Sequence, residues 1–486
     1  MKRWKQGAAL IGSALVAGCS LAPDYQVPDV PPVPVSFKEA GPWQLAHPAD
    51  TMPRGPWWSV YNDADLNRLE GMVEARNPTI AEAVAAYDVA RADVAQAAAP
   101  LLPQVISSGG IAANQQSEKR PLRRPGQPND YPSNVLGATI GYDLDLWGRL
   151  RNGLAAQSAA AQASGADLAT IRLSMHAELA TDYTSLRGFD AQEKLLREAV
   201  EIYRKALSIT QARYDGKIAS GLDVAQAEDQ LEATQAAETE ILAQRALYEH
   251  AIASLVGQPA SSFAIAPRVE QIAVPNIPTG VPSTLLQRRP DIAAAERRVA
   301  AANAIVGVAR AAFYPDISLS ALVGFQDTGQ AALLSAPFTF WTIGPQMFFP
   351  LFEGGLRRAQ EAAANAQLRG AGEAYRSAVL TAFQEVEDSL SNLRILGDEL
   401  RQEKAAVISA KRAADMAMSL YRGGATNYLD VVQTQAAWLD AQRTELSLET
   451  RELQASVQLV RALGGGWTTR DLPDADMVAQ TDPSAS

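Results

Sequence analysis

Tyr214-Asp215-Gly216 followed by Leu222-Asp223-Val224-Ala225-Gln226 occurs a second time in this sequence, as Tyr421-Arg422-Gly423 followed by Leu429-Asp430-Val431-Val432-Gln433. Tyr, Gly, Leu, Asp, Val and Gln recur in register at a spacing of roughly 200 residues, which is too long for a solenoid repeat and is typical of a duplicated domain half. Glycine and short polar residues favour turns. The sequence therefore predicts two helical hairpins whose tip turns lie at 214–226 and 421–433.

A second pair of matching segments indicates where each half begins. Asn77-Pro78-Thr79-Ile80 aligns with Arg289-Pro290-Asp291-Ile292, and each segment opens a helix with proline in its first turn. Both helices end before a proline that starts an extended segment, at Pro103 and Pro315. The predicted divisions are a first repeat at 57–264, an equatorial linker at 265–289, a second repeat at 290–466 and a polar C-terminal tail at 467–486.

Long helices are predicted on either side of each tip turn. No proline occurs from Ser133 to Gln258 or from Leu351 to Leu472, and apolar residues step by four and three, as in a coiled coil. A helix over 149–213 would be on the order of 100 Å long, and the return helix over 221–257 about 55 Å. A soluble coiled-coil scaffold would also explain these helices.

Each half also contains two segments that read as strands. Apolar and polar residues alternate over 134–146 and 315–326, and weaker segments at 103–115 and 338–351 complete two hairpins. The alternation places Asp143 and Asp145 together on the polar face of one strand, as a lumen lining. Such strands are typical of a membrane barrel, although a soluble sandwich is an alternative, and four strands cannot close a barrel whose smallest examples have about eight. Closure would require further copies of the chain.

The N-terminus reads as a lipoprotein signal. Basic residues precede a short apolar stretch, and Val16-Ala17-Gly18-Cys19 matches a bacterial lipobox. Residues 1–18 would then be the signal peptide, and 19–56 a proline-rich arm whose Cys19 carries diacylglycerol and palmitate. Two or more acyl chains give stable membrane attachment. The alternative is an ordinary signal peptide with an incidental cysteine.

Composition argues against several other classes of protein. The net charge of −11 disfavours nucleic acid as a partner. His47, His176 and His250 lie far apart without metal-ligand spacing, and Gly464-Gly465-Gly466 lacks the Lys-Ser/Thr of a phosphate loop. We therefore predict no enzymatic activity, no metal and no cofactor other than the covalent lipid.

Several motifs together make the chain resemble the TolC-type outer-membrane efflux factors, in the lipoprotein branch that includes OprM and NodT-like proteins. The resemblance covers nearly the whole mature chain except the tail after Trp467. The motifs are the lipobox, Trp57-Trp58, Asn77-Pro78, Asp145-Leu146-Trp147-Gly148-Arg149, Arg288-Arg289-Pro290-Asp291-Ile292, Pro350-Leu351-Phe352-Glu353-Gly354-Gly355 and Ala462-Leu463-Gly464-Gly465-Gly466-Trp467.

This resemblance implies a mixed α and β membrane protein, anchored by lipid in the bacterial outer membrane and extending into the periplasm. Three chains would form a twelve-stranded barrel, four strands from each, continued by a coiled-coil helical tunnel. The homotrimer would join a periplasmic adaptor and an inner-membrane transporter of the RND type, as a passive exit duct for drugs or other small solutes. The alternatives are a channel for protein secretion and a lipid-anchored scaffold without a pore.

The tip turns are the predicted working site. Glycines at 216, 221, 423 and 424 suit a tight reversal that needs backbone angles unfavourable to other residues. Turn punctuation alone would also account for them. The residues predicted to form the tip and contact the adaptor are Tyr214, Gly216, Gly221, Leu222, Gly423, Gly424 and Leu429.

A periplasmic gate is predicted at the second turn. Three copies of Asp430 around an axis would form a carboxylate ring that can act as a selective constriction, although an acidic residue at a helix N-terminus is favourable without gating. Gln433 stands where TolC-like proteins carry a second acid. The resemblance also implies that Tyr421 donates a hydrogen bond to Asp223, so that Tyr421→Phe would raise single-channel conductance, with Thr426 as a further link.

Overall fold

The computed structural model describes residues 20–30, 32, 34, 36–40, 56–122, 124–270, 272–275, 277, 285–329, 334 and 336–479. The predicted signal peptide and the predicted lipidation site at Cys19 lie outside the described residues. Among the helices that are described, none is both long and apolar enough to cross a membrane.

The helices follow the duplication that the sequence predicts. In the first half, two short helices precede the sheet, and a long helix and its return follow the first pair of strands. The second half repeats this order. The helices are α1 Ala64–Arg76, α2 Pro78–Ala98, α3 Arg149–Asp215, α4 Gly221–Leu255, α5 Leu285–Arg288, α6 Pro290–Ala311, α7 Leu356–Arg422, α8 Tyr428–Ala462 and α9 Ala475–Ala479.

The two long helices have equal length, and each lies beside shorter helices. Both α3 and α7 have 67 residues, which corresponds to about 100 Å. The return helices α4 and α8 have 35 residues each, and α2 and α6 contribute 21 and 22. Helix α6 packs against both α3 and α7, so the first and second halves interlock rather than forming separate bodies.

Four antiparallel strands form one sheet in the order β1-β2-β3-β4. They are β1 Gln104–Gln115, β2 Asp130–Asp143, β3 Asp316–Asp327 and β4 Thr339–Phe348. The central pairing of β2 with β3 joins the two halves, with Leu136 opposite Phe325. The predicted strand at 338–351 stops at Phe348, two residues before Pro350, whose ring nitrogen cannot donate to a strand ladder.

The prediction that Asp143 and Asp145 share one face of a strand is wrong. Strand β2 ends at Asp143, and Asp145 has a positive φ of 43°. Its carboxylate accepts hydrogen bonds from the backbone N–H groups of Leu150 and Arg151, at 2.8 and 3.0 Å. Asp145 therefore closes the first turn of α3 instead of lining a lumen.

The predicted alternation of the sheet is present in the paired rows. Val105, Ile140, Ala321 and Ile343 are directly opposite one another across the four strands, whereas the neighbouring row consists of Gln104, Gly141, Ser320 and Gly344. Val105 and Ile343 are exposed in the single chain. One face of the sheet is thus apolar and uncovered, and the other is polar or small along this row.

The largest apolar core lies at the level of the equatorial linker. It joins the short helical segment Trp57–Tyr61 and α1 to the middle of α3 and to α7 and α8, and Leu69, Tyr183 and Val457 are completely buried in it. Burying a side chain of this size stabilises the fold by about 1.5–3 kcal/mol. This core holds the helices in register well away from both the sheet and the tip turns.

An ionic network fixes the linker to the core. The buried carboxylate of Asp190 accepts from Arg187 at 2.8 Å and from Arg245 at 2.6 Å. The same carboxylate accepts from the backbone N–H of Arg268, and Arg187 donates to the carbonyl of Ala266 at 2.9 Å. A buried charge is costly unless it is paired and hydrogen-bonded. Loss of any one of these partners should therefore destabilise the folded chain strongly.

Candidate gating site at the helix turns

The first tip turn closes the end of α3 with paired backbone hydrogen bonds. The N–H of Lys217 donates to Tyr214 O at 2.8 Å, and the N–H of Ile218 donates to Arg213 O at 2.7 Å. Lys217 has a positive φ of 57°. This pairing, with a left-handed residue just past the helix, is the Schellman arrangement that ends many helices.

The second tip turn has the same geometry at the end of α7. The N–H of Gly424 donates to Tyr421 O at 3.0 Å, and that of Ala425 donates to Leu420 O at 2.9 Å. Gly424 has a φ of 76°, and a Cβ added there would meet no atom within 4 Å. The duplication seen in the sequence is therefore a duplication of turn geometry.

The prediction about the four glycines is correct for Gly424 alone. Gly216 and Gly423 have φ values of −75° and −76°, which any residue can adopt, and Gly221 is the first residue of α4. In the first turn the left-handed position is filled by Lys217, which sequence reasoning did not single out. A Schellman turn has one left-handed position, so one glycine per turn is the most that its backbone requires.

Asp223 has a local partner rather than the predicted one. Its carboxylate accepts from the N–H of Ser220 at 2.8 Å, while the Ser220 hydroxyl accepts from the N–H of Asp223 at 3.2 Å. This capping box begins α4 and satisfies two helix N-terminal donors at once. The predicted hydrogen bond from Tyr421 to Asp223 is absent, since the Tyr421 hydroxyl has no hydrogen-bond partner among the described residues.

Tyr421 is instead held by its ring and its carbonyl. Its side chain is 4% exposed and packs edge-on against Tyr428, with ring centroids 5.2 Å apart. The guanidinium carbon of Arg213 lies 4.5 Å from the centre of the Tyr421 ring. Arg213 also donates from Nη1 to Tyr421 O at 3.1 Å. The end of α3 is thereby joined to the end of α7 in the same chain.

The second turn brings Asp430 and Thr426 together. The Thr426 hydroxyl donates to the Asp430 carboxylate, and the side chain of Asn427 caps α8 by accepting from the N–H of Asp430 at 3.1 Å. Asn427 thus provides the N-cap, while Asp430 lies in the first turn, where the helix dipole favours a negative charge. Asp430 and Gln433 are both exposed in the single chain. The carboxylate ring stays a prediction.

Apolar side chains project from both tip turns. Leu222 is 66% exposed, and Tyr214 and Leu429 are also exposed. Ile218, which sequence reasoning missed, is 72% exposed and follows the left-handed residue directly. Ile218 lies between the two repeated segments of the first turn, and the second turn has Ala425 at the matching position, so the repeat gave no signal for it. Together these residues give the tip an apolar surface, and contact with an adaptor through it stays a prediction.

Tyrosine at the start of α8 remains neutral at ordinary pH. Burial, reinforced by the neighbouring Tyr421, raises the pKa of Tyr428 to about 12. Tyr428 therefore serves as a packing surface for Tyr421 and carries no charge into the site. Arg213 is the cation that lies over the ring of Tyr421.

The chain combines two long helical hairpins with a four-stranded sheet that has one apolar, uncovered face. This combination defines a channel-forming protein of the outer membrane. Residues 70–258 and 281–465 match the model of the outer membrane efflux protein family. The chain belongs to this family.

Curated relatives and a solved structure agree with this assignment. The pyoverdine export outer membrane protein OpmQ of Pseudomonas aeruginosa is 32% identical over 451 residues, covering 90% of this chain and 93% of its own length. The outer membrane protein OprJ of the same species is 30% identical and covers 95% of both chains. The outer-membrane channel OprN has a TM-score of 0.84 at 29% identity, covering 92% of this chain and all of its own.

These findings confirm the family, the fold class, the outer-membrane location and the efflux-channel function predicted from the sequence. The chain is one protomer of a trimeric channel in which a β-barrel continues into a helical tunnel. It is a transport protein by family. The lipid on Cys19 and the roles of the individual tip residues stay predictions.

Proposed function

We propose that this chain forms the homotrimeric exit duct of a tripartite efflux system. An inner-membrane transporter of the RND type would supply the energy, and a periplasmic adaptor would bind the apolar surface of the tip. The duct would release drugs or other small solutes passively. Acylated Cys19 would anchor each chain in outer-membrane lipid.

The sheet is the observation that carries this proposal. Within the described chain, β1 and β4 each have a hydrogen-bonded neighbour on one side only. An open strand edge presents unpaired N–H and C=O groups, which is costly in lipid, where water cannot satisfy them. The edge strand β4 of one copy pairing with β1 of the next would satisfy both edges and close twelve strands around a pore.

The helical part supports a continuous duct. Each chain supplies two hairpins whose long helices measure about 100 Å, which is enough to extend far beyond a hydrocarbon core of roughly 30 Å. Their tips carry exposed Leu222 and Ile218, where an adaptor could bury apolar area. The substrates would be small solutes of several kinds, since a passive duct needs no specific binding site.

The test is the mass of the detergent-solubilised mature protein together with its conductance in a planar bilayer. We expect a trimer that produces small, discrete channels, because the tips narrow the duct. Heat-unfolded protein in the same detergent is the control. A monomer without conductance would contradict the proposal and would favour an anchored scaffold.

The lipid anchor needs its own experiment. Cells fed labelled palmitate should incorporate label into the wild-type chain and not into a Cys19→Ala variant, because Cys19 is the only cysteine in the sequence. Equal label in both chains would show that the signal is not from acylation at Cys19.

A further inference from the structure

We propose that Arg213 is the residue that holds the periplasmic tip closed, by clamping the end of α7 to the end of α3 through the ring and the carbonyl of Tyr421. This proposal rests on the proposed function, because it assigns a closing contact to the same channel. It differs from the latch expected from the sequence, which required the Tyr421 hydroxyl and the Asp223 carboxylate.

Two contacts of different kinds form the clamp. The Arg213 guanidinium lies over the Tyr421 ring at 4.5 Å, a cation–π distance. The Nη1 of Arg213 reaches Tyr421 O at 3.1 Å. That carbonyl also accepts from the N–H of Gly424, which closes the second tip turn. A displacement of α7 at this level would therefore break a charged hydrogen bond and disturb the turn itself.

The ring of Tyr421, rather than its hydroxyl, provides the surface for Arg213. The hydroxyl is buried and without a partner among the described residues. A buried polar group without a hydrogen bond is a net cost to the state that buries it. Edge-on packing on Tyr428 at 5.2 Å fixes the plane of the ring, so that its face is presented to Arg213.

The two repeats differ at the position of Arg213, so the clamp is not duplicated there. The residue before the repeated tyrosine is Arg213 in the first repeat and Leu420 in the second. Leu420 is about half exposed. At this position, within the described residues, the first hairpin therefore offers a cation to the second without a matching cation in return.

The experiment compares planar-bilayer recordings of the full-length trimeric channel carrying Arg213→Gln, Tyr421→Phe or Arg422→Gln. For Arg213→Gln we expect about a fivefold rise in open probability, as a cation–π contact and a charged hydrogen bond are lost. Tyr421→Phe keeps the ring and the carbonyl and removes only the unpartnered hydroxyl, so its open probability should not rise above that of the wild type. Arg422→Gln removes an equal charge from an exposed neighbouring position and should match the wild type.

A conservative variant separates clamping from folding. Arg213→Lys keeps the charge but not the planar stacking group, so its open probability should lie between those of the wild type and Arg213→Gln. Trimer mass and unfolding temperature should stay unchanged in all variants. If Arg213→Gln behaves as wild type while Tyr421→Phe opens the channel, the clamp is overturned in favour of the hydroxyl latch. If wild-type protein gives no channels at all, the proposed function itself fails.

Discussion

His176 lies between two carboxylates in the equatorial core, on the buried side of α3. Its Nδ1 is 2.6 Å from Glu70 and its Nε2 is 3.2 Å from Glu74, both on α1, and Trp58 stacks on the imidazole at 4.4 Å. A neutral imidazole can donate from one nitrogen only. Both contacts can be hydrogen bonds only if the cluster holds one proton more than a neutral His176 and two ionised carboxylates carry. Burial raises the pKa of Glu70 to about 7, which makes Glu70 a site for that proton.

The titration of Glu70 predicts a pH-dependent stability. Its pKa in the folded chain lies above the value near 4.3 of an exposed glutamate, so the folded state binds more protons between these values. Stability should therefore fall as the pH rises from about 4.3 through about 7, by at most about 4 kcal/mol per chain. Unfolding temperatures between pH 4 and pH 8 should decline for the wild type and change less for Glu70→Gln.

A matched control distinguishes this cluster from the general acidity of the chain. Glu82 is an exposed glutamate on α2. Glu82→Gln removes the same charge without touching His176, so its stability should follow the wild-type pH curve. If Glu70→Gln and Glu82→Gln give the same slope as the wild type, Glu70 does not control the pH dependence.

At the scale of single helices, the two long ones begin differently although both follow a left-handed glycine. Gly148 precedes α3 with a φ of 73°, and Gly355 precedes α7 with a φ of 90°. The start of α3 is also held by Asp145, whose carboxylate accepts from two backbone N–H groups and from Arg151 Nε. Neither glycine has a side chain that could cap its helix. The junction between β2 and α3 is therefore more constrained than the junction between β4 and α7.

Removing the carboxylate of Asp145 should destabilise the junction between β2 and α3. Asp145→Ala leaves two helix N-terminal donors without their partner and keeps an unfavourable positive φ, so we expect a loss of about 1 kcal/mol or more. Asp145→Asn keeps an acceptor and tolerates the left-handed region, and it should retain most of the stability. Denaturant unfolding of the two variants measures the difference. Equal losses would show that the negative charge matters and the cap geometry does not.

The element boundaries that sequence reasoning missed were set by such side-chain contacts. Proline positions and apolar periodicity predicted the long helices, and alternation predicted the sheet. The alternation continues through Leu144 and Leu146, so it could not show that Asp145 leaves the strand. A side chain that hydrogen-bonds nearby backbone groups competes with the ladder, and this competition is invisible to a hydrophobic pattern. Asp223 was misassigned for a different reason, because its role was carried over from the family resemblance, whereas its partner Ser220 lies only three residues before it.

At the scale of the whole molecule, the candidate site depends on how two halves of one chain meet. The repeat predicted both tip turns from local residues. The contact between Arg213 and Tyr421 spans 208 residues, and it exists only because α3 packs against α8, which itself packs against α7. No local pattern encodes which helix ends become neighbours. The turns were therefore predictable, whereas the partner of Tyr421 was not.

The orientation of the sheet gives a test of the assembled channel with two neighbouring residues on β3. Ala321 lies in the apolar row with Ile140 and Ile343, and Ser320 lies in the row with Gly141 and Gly344. A charged side chain on a lipid-facing position costs about 2–4 kcal/mol at the bilayer midplane, whereas lumen positions tolerate charge and tune selectivity. Ala321→Arg should therefore reduce the amount of trimer that survives detergent and heat. Ser320→Arg should assemble normally and shift the reversal potential in a salt gradient towards anions. Because both substitutions replace a small residue with the same cation one position apart, equal losses of trimer would contradict the assignment of the two faces.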